Sequence, residues 1–452
     1  MLEEDIINKA IDILKKYSLC DSCLGRQFAL LGSGLTNRER GRAIKTIILM
    51  KAFSPSGPRD EELLRILCES NFKPALKLLS SYKILTDCKI KPCFLCEGFL
   101  ENEILEKWIR KILEKVENIE FETFQIGCRL DPALLVREED LRTRFKLRYG
   151  ESLKTEINRE LGKKIQGRTG KQYSAKSPDL LIIVDLIAND VTLEVKPLYV
   201  YGRYRKLVRG IPQNIWLCPR CRGRGCEECK GTGRLYPESI EEYISIPIVK
   251  AAEGDGYKFH GAGREDVDVR TLGSGRPFVV EVKNPRKRKI DLDEVLKQIN
   301  KEAQGKVEVL FLKFSDKRTV RRIKRLAEIS AKTYRAVVTF NEEVNSEKLK
   351  ELEIFFRNRV ISQRTPRRVL HRRPDKIRRK TVFDVKAKKL SDRTVEFLVK
   401  CQGGLYVKEL ITGDDGRTEP NFSEFLGLKA KSIILDVVGV EDSGDFKSLS
   451  EV

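Results

Sequence analysis

Near the start of the chain, apolar residues recur at helical spacing. Leu2, Ile6, Ala10, Ile13, Leu14 and Tyr17 fall on one face of MLEEDIINKAIDILKKYSLC. This predicts an amphipathic, core-facing helix and no targeting peptide, because the segment begins acidic and lacks an apolar signal core. Residues 1 to about 110 keep this helical character, and residues 118 to 212 turn mixed. There KSPDLLIIVDL and TLEVKPLYVYGRYRKL read as two strands joined at Asn189-Asp190. The basic stretch GKKIQGRTGKQYSAK before them suits either a solvated loop or the phosphate-contacting edge of an RNA-binding module. From 237 onward strands and helices alternate: GREDVDVR, FVVEVK, KVEVLFLKF and TYRAVVTF are strands, while Asp291 and Ser346 cap helices. TVFDVKAKKL and TVEFLVKC form a hairpin around Ser391-Asp392, and a last strand runs through SIILDVV. The sum is an α+β domain with a mainly antiparallel sheet.

GREDVDVR is an odd strand. Alternation places Arg264, Asp266, Asp268 and Arg270 on one face and Glu265, Val267 and Val269 on the other. Two carboxylates between two guanidiniums make a poor apolar face and suggest a chemical task.

Charge narrows the partner. Lys and Arg number 88 against 67 Asp and Glu, so the net charge of +21 favours a polyanion, nucleic acid first. An anionic membrane is the rival, but no strongly basic amphipathic helix carries Trp or Phe. Nor is there an apolar run of about 18 residues, so no membrane span is expected and the protein is read as cytoplasmic. Cations cluster in KNPRKRK (283–289), in KRTVRRIKR (317–325) and across 361–380, where nine Lys and Arg face Asp375 alone. Phosphate contact by three such runs would make binding sensitive to salt.

Eight of the 12 cysteines form four CxxC pairs: Cys20/Cys23, Cys93/Cys96, Cys218/Cys221 and Cys226/Cys229. With no secretory signal, metal binding is favoured over disulfides. In CPRCRGRGCEEC, Gly223 and Gly225 permit the tight reversal that brings the last two pairs together. The first two pairs, roughly 70 residues apart, would close a second four-Cys site. Closed sites leave no position for water, so one or two structural zinc ions without catalytic duty are expected. Cys68, Cys88, Cys128 and Cys401 read as ordinary buried cysteines.

GREDVDVRTLGSGRPF, TYRAVVTF, SQRTPRRVLHRRP and GGLYVKELITGDDGRTEPNF together resemble the tRNA pseudouridine synthases that act on positions 54 and 55 of the T-arm, a family shared by archaea and eukaryotes. The resemblance spans essentially the whole chain. It implies a pseudouridine synthase catalytic domain at 237–452, a four-Cys zinc-binding linker at 213–236, and an α/β accessory domain at 1–212 with a THUMP-like tRNA-binding part and its own zinc site. Within the motifs, Gly263-Arg264-Glu265-Asp266 matches the family's aspartate turn and implies catalysis by Asp266, as nucleophile or as base, with Asp268 more structural and pairing Arg270. GGLYVKELI implies Lys408 as the ion-pair partner of Asp266, Tyr406 at the substrate and Leu410 in an apolar floor under the uracil. Many relatives carry Thr in place of Leu405 and Arg in place of Lys408, so the fork geometry of a guanidinium is absent here. Tyr334 matches the tyrosine that stacks on the base and helps remove the C5 proton, and Arg264 fills the gap left by the flipped nucleotide. Arg364, Arg367, Arg372 and Arg373 would contact the tRNA. No small-molecule cofactor is needed for an isomerisation, and a monomer is expected. The alternatives are a THUMP-containing tRNA-binding protein with another modification activity, or a non-catalytic tRNA-folding role. A methyltransferase would need a glycine-rich loop after a strand, and the glycines of GDGYKFHGAG lie before one.

Overall fold

A computed structural model of the protein describes residues 6–54, 57–83 and 88–441, so Leu2 of the predicted first helix lies outside the described residues. Two compact units divide at Lys196/Pro197. In the first, the helix Ile6–Lys16 buries Ala10, Ile13 and Leu14, as the helical spacing requires. Further helices follow to Val116. The unit then forms a four-stranded sheet in the order β2-β1-β3-β4. Its strands are β1 (Thr123–Arg129), β2 (Gln172–Tyr173), β3 (Leu180–Asp185) and β4 (Asp190–Val195). β1 runs parallel to β2 and β3, and β3 and β4 form an antiparallel hairpin with Asp185 opposite Asp190. Leu180, Ile182 and Val184 alternate inward along β3, the period-two burial of a strand with one covered face.

The second unit holds one ten-stranded sheet, in the order β13-β10-β11-β12-β9-β14-β7-β5-β8, with β6 also on β7. These strands are β5 (Leu198–Lys206), β6 (Gly256–Gly261), β7 (Arg270–Lys283), β8 (Val307–Ser315), β9 (Ala331–Phe340), β10 (Arg359–Arg364), β11 (Ile377–Ser391), β12 (Thr394–Gln402), β13 (Thr418–Glu419) and β14 (Ala430–Val440). All pair antiparallel except β7 with β14. One end of the sheet packs Val338, Phe397 and Val399 against Leu352, Phe356 and Phe422. The other packs Val280 and Val282 against Ile244, Ile248 and Ile299 from two helices.

Several expectations are corrected. TLEVKPLYVYGRYRKL is two strands, not one: Pro197 has no amide hydrogen for a ladder, and β4 and β5 on either side of it join different sheets. The division therefore falls before β5, earlier than the expected boundary at 212. The 218–229 cysteine loop lies within the second unit, between β5 and the helix Ile240–Ala251, and is not an interdomain linker. GREDVDVR is a loop between β6 and β7, and GGLYVKELI is a turn opening the short helix Val407–Thr412. The side chain capping Ser346–Phe356 belongs to Asn345. KRTVRRIKR lies in the helix Lys317–Ile329. Cys68 and Cys88 are joined by a disulfide, whereas Cys128 and Cys401 are buried and free.

In the first unit the short helix Asp21–Gly25 crosses Asn37–Ala52 at very close range. A Cβ on Gly41 would overlap the carbonyl oxygen of Asp21. Gly41→Ala should therefore cost about 2 kcal/mol or more, in the range of overpacked cores. The check is the urea midpoint of the Trp108 fluorescence transition in a Trp216→Phe background; an unchanged midpoint removes the claim of a glycine-dependent crossing.

Candidate active site

The loop between β6 and β7 carries Asp266, and its conformation follows from what must be buried beneath it. Glu265, beside Asp266, points inward. It accepts from Arg276 Nε at 2.8 Å and from the Tyr204 hydroxyl at 3.0 and 3.1 Å. The Glu265 and Arg276 side chains are each 1% exposed, so neither charge is tolerable without the other. Burial opposes the Arg276 charge, but Glu265 outweighs it and raises the guanidinium pKa, while burial and Glu265 push the Tyr204 hydroxyl up. Backbone clamps complete the brace. Arg276 Nη1 donates to the Ala262 carbonyl at 2.9 Å. Gln213 donates to the Gly263 carbonyl at 2.9 Å and to the Tyr204 hydroxyl at 2.8 Å. Lys206 donates to the Val267 carbonyl at 2.7 Å and the Asp266 carbonyl at 3.3 Å; burial lowers its pKa to about 8. Gly263 sits at φ +77°, which a side chain would strain, and this turns the chain inward for Glu265. An extended strand would have pointed Glu265 and Asp266 to opposite faces of a sheet; the loop instead buries one and presents the other.

Asp266 itself is 32% exposed at the edge of a cavity of about 550 Å3, within the range of small-ligand sites. Its carboxylate meets Arg368 Nη1 at 2.8 Å, while Lys408 stands at 3.9 Å. Lys408 is instead bonded to both oxygens of Asp268, at 2.7 and 2.8 Å. The expected Asp266–Lys408 pair is present at 3.9 Å, but it is joined by a shorter contact from Arg368, and Lys408 links the two aspartates. Burial opposes the ionised form of Asp268, but the hydrogen bond and charge of Lys408, with the Arg368 charge, together outweigh it and lower the carboxyl pKa. Arg270 does not pair Asp268. It binds Asp436 at 2.8 and 3.0 Å. Arg368 also donates to Glu409 at 2.6 Å; burial works against its charge, yet Glu409 and Asp266 raise its pKa.

Tyr334, Tyr406, Arg264 and Arg373 line the cavity with Leu405, Val407 and Val437. Burial raises the Tyr334 hydroxyl pKa. Tyr406 is held by a two-way backbone clamp from Gln363, at 2.8 and 3.0 Å, and Arg373 donates to its hydroxyl at 3.0 Å. Leu410 is fully buried in the core and is not part of the lining; Leu405 and Val407 provide that apolar surface. Arg364 and Arg367 also lie outside the lining and pair with Asp375 and Asp415 at 2.9 and 3.0 Å. Arg372 ends the 3-10 turn Arg367–Arg372, and its side chain lies outside the described residues. The arrangement can hold a planar base beside tyrosine rings, with a carboxylate between two cations at one side. Sequence reasoning counted Arg368 only as part of a basic run, and it missed Glu265, Arg276, Tyr204, Gln213 and Lys206. The one available signal was spacing: Tyr204 and Lys206, two apart on β5, share a face.

Two groups of four cysteines bring their sulfurs within 4.8 Å of one another, Cys20/Cys23/Cys93/Cys96 and Cys218/Cys221/Cys226/Cys229. In the first, the Cys20 amide donates to the Cys93 sulfur at 3.3 Å and the Cys23 amide to the Cys20 sulfur at 3.4 Å. In the second, Gly223 and Gly225 take φ +94° and +87°, the reversal expected of the four-residue gap. Four converging thiols fit a tetrahedral thiophilic cation, and either group could hold one.

Residues 199–441 match the family model described as Pus10, C-terminal, and residues 108–185 match the archaeal Pus10 THUMP domain. A tRNA pseudouridine synthase Pus10 from Thermofilum pendens is 49% identical, with 95% of this chain and 94% of that protein covered. One from Methanothrix thermoacetophila is 44% identical over 97% of this chain and 95% of that protein. Among solved structures, a Cbf5-Nop10-Gar1 complex matches with a TM-score of 0.27 at 15% identity, covering 53% of this chain and 58% of that one.

Removing the Glu265 carboxylate should strand the Arg276 charge. Glu265→Ala is expected to destabilise the second unit by about 3–5 kcal/mol, as for other broken buried pairs. Urea unfolding followed through Trp216 in a Trp108→Phe background checks this, and a loss below about 1 kcal/mol, the scale of an exposed pair, contradicts it.

Proposed function

The chain belongs to the Pus10 family of tRNA pseudouridine synthases and isomerises uridine to pseudouridine in tRNA; from this premise we propose that its targets are positions 54 and 55 of the T-arm and that Asp266 is the catalytic carboxylate. The observation supporting this reading is the placement of Asp266: at a cavity edge, 2.8 Å from a guanidinium and beside tyrosine rings. The reaction breaks the N1–C1′ bond, turns the base and joins C5 to C1′. An ionised carboxylate beside C1′ suits either capture of that carbon or removal of a neighbouring proton. Arg368 fixes the direction of the Asp266 carboxylate, and Lys408, locked on Asp268, adds a second positive charge at 3.9 Å. Tyr334 stacks on the flipped uracil and Arg264 enters the vacated stack.

Partners follow from charge. The helix Lys317–Ile329 presents Lys317, Arg318, Arg321, Lys324 and Arg325 to solvent while Ala327 lines the cavity, so its cations suit phosphates flanking the target. Arg364, Arg367, Arg372 and Arg373 are read the same way. The first unit serves as the accessory tRNA-binding domain. No described helix is long and apolar enough to cross a membrane. We read the protein as a cytoplasmic monomer with structural zinc in both cysteine groups and no cofactor for the chemistry. The zinc ions would close loops and take no part in catalysis, since four cysteines leave no open position.

Mapping pseudouridine on an unmodified tRNA transcript tests the catalytic assignment. Asp266→Asn should give no product with tRNA affinity kept, whereas Asp268→Asn should retain product; the reverse result moves the catalytic role to Asp268. Metal analysis of the purified chain tests the second reading. It should find about two zinc ions, one per cysteine group, and Cys221→Ser should lose one. Zinc content that Cys221→Ser leaves unchanged rejects the second site.

A further inference from the structure

Lys332 is a buried cation without a counter-ion of its own. It lies on β9 two residues before Tyr334, so both side chains leave the same face of the strand, and both line the cavity. Only 6% of Lys332 is exposed. Among the described residues its ammonium meets one acceptor, the Ala327 carbonyl at 3.4 Å. The charged and titratable groups around it compensate only in part: Cys401 and Glu265 favour its charge, but burial and Arg276 outweigh them. Arg276 and Lys380 repel it, Cys401 is buried on the neighbouring strand, and Glu265 is already committed to Arg276 and Tyr204. Burial, with Arg276 second, lowers its pKa to about 7.

Such a group is costly unless a ligand answers it. A cavity that opens onto an unanswered ammonium has its best complement in a group that becomes negative there. We propose that Lys332 is a further catalytic residue, donating a hydrogen bond to a carbonyl oxygen of the uracil and stabilising the base as it detaches. This rests on the pseudouridine synthase reading and extends it to the leaving base. When N1–C1′ breaks, its electron pair stays on the base, which becomes an anion spread over N1, O2 and O4. C1′ carries the electron deficit that Asp266 answers. Bonding through C5 returns an electron pair to C1′. C5 then gives up its proton and N1 gains one, so the ring ends neutral and nothing is oxidised or reduced. Lys332 keeps its own proton throughout. Its low pKa and solitary position make it a poor ground-state partner for a neutral base and a strong one for the anion, which is the difference that accelerates a reaction.

The experiment uses the full chain, an unmodified tRNA transcript and single-turnover kinetics. Lys332→Met should lower the rate constant at saturating enzyme by about 100-fold or more, as for a lost oxyanion donor, with tRNA affinity unchanged. For the wild type, the protonated form is the active one, so the second-order rate should fall about tenfold per unit as pH rises above about 7. Lys332→Met should lack that limb. A wild-type rate in Lys332→Met overturns the proposal, as does a loss of affinity with the rate constant kept, which would mark a phosphate contact. Should the variant fail to fold, a flat wild-type profile from about pH 6 to 9 is sufficient to overturn it. An active Asp266→Asn would instead defeat the catalytic reading of Asp266, so the two failures are distinguishable.

Discussion

A carboxylate and a guanidinium buried together must be satisfied completely, and the loop that carries Asp266 takes its shape from how Glu265 and Arg276 meet that demand. Glu265 uses both oxygens, toward Arg276 and the Tyr204 hydroxyl, and Arg276 spends another donor on the Ala262 carbonyl. Those bonds leave the loop no freedom to become a strand. They fix Gly263 in the left-handed region and turn Asp266 outward, so a structural ion pair sets the direction of the neighbouring carboxylate. Arrangements of this kind contribute little net stability over an apolar core, yet they specify a geometry. Here specification matters more, because the brace comes from β5 and β7, two adjacent strands of the sheet.

The cations around the two exposed aspartates divide their work. Arg368 bridges Asp266 and Glu409, and Lys408 bridges Asp268 and, at longer range, Asp266. A fork suits the bridging position because its nitrogens reach two acceptors in one plane, whereas a lysine provides a point charge. The resemblance assigned the single family cation to Lys408, where relatives carry arginine. The structure adds a guanidinium from the 3-10 turn Arg367–Arg372 at shorter range. A basic run read as an RNA-facing surface therefore contributes one of its members to the Asp266 carboxylate.

What was legible in the sequence follows from the range of the interactions. Strands such as KVEVLFLKF and the 391–392 hairpin announce themselves through local alternation and turn chemistry, and the cysteine groups through fixed spacing. Asp266 and Tyr334 were singled out because their motifs are local, and both line the same cavity. Lys206, Tyr204 and Arg276 were not, since nothing in their own segments says that a carboxylate will be buried beside them. GREDVDVR failed for the same reason in reverse: its period-two pattern is a strand signal that a tertiary ion pair overrides. The boundary at 212 was misplaced because β4 and β5 read as one strand across Pro197, and only sheet partners reveal the break.

Sheet order explains how such separated segments converge. Asp266 precedes β7, Tyr334 and Lys332 lie on β9, and Lys408 follows β12, yet β7, β14, β9 and β12 are consecutive in the sheet. The parallel pairing of β7 with β14 brings Thr271 opposite Val437, and the β14–β9 register brings the same Val437 opposite Tyr334. Val437 is therefore the hinge between the aspartate loop and the tyrosine, and it lines the cavity. Because side chains change face with every residue, a one-residue slip of β14 would turn Val437 away from the cavity and misalign both walls at once. The register of this strand is thus a constraint on the cavity as well as on packing, because Leu435 and Val437 of β14 line it.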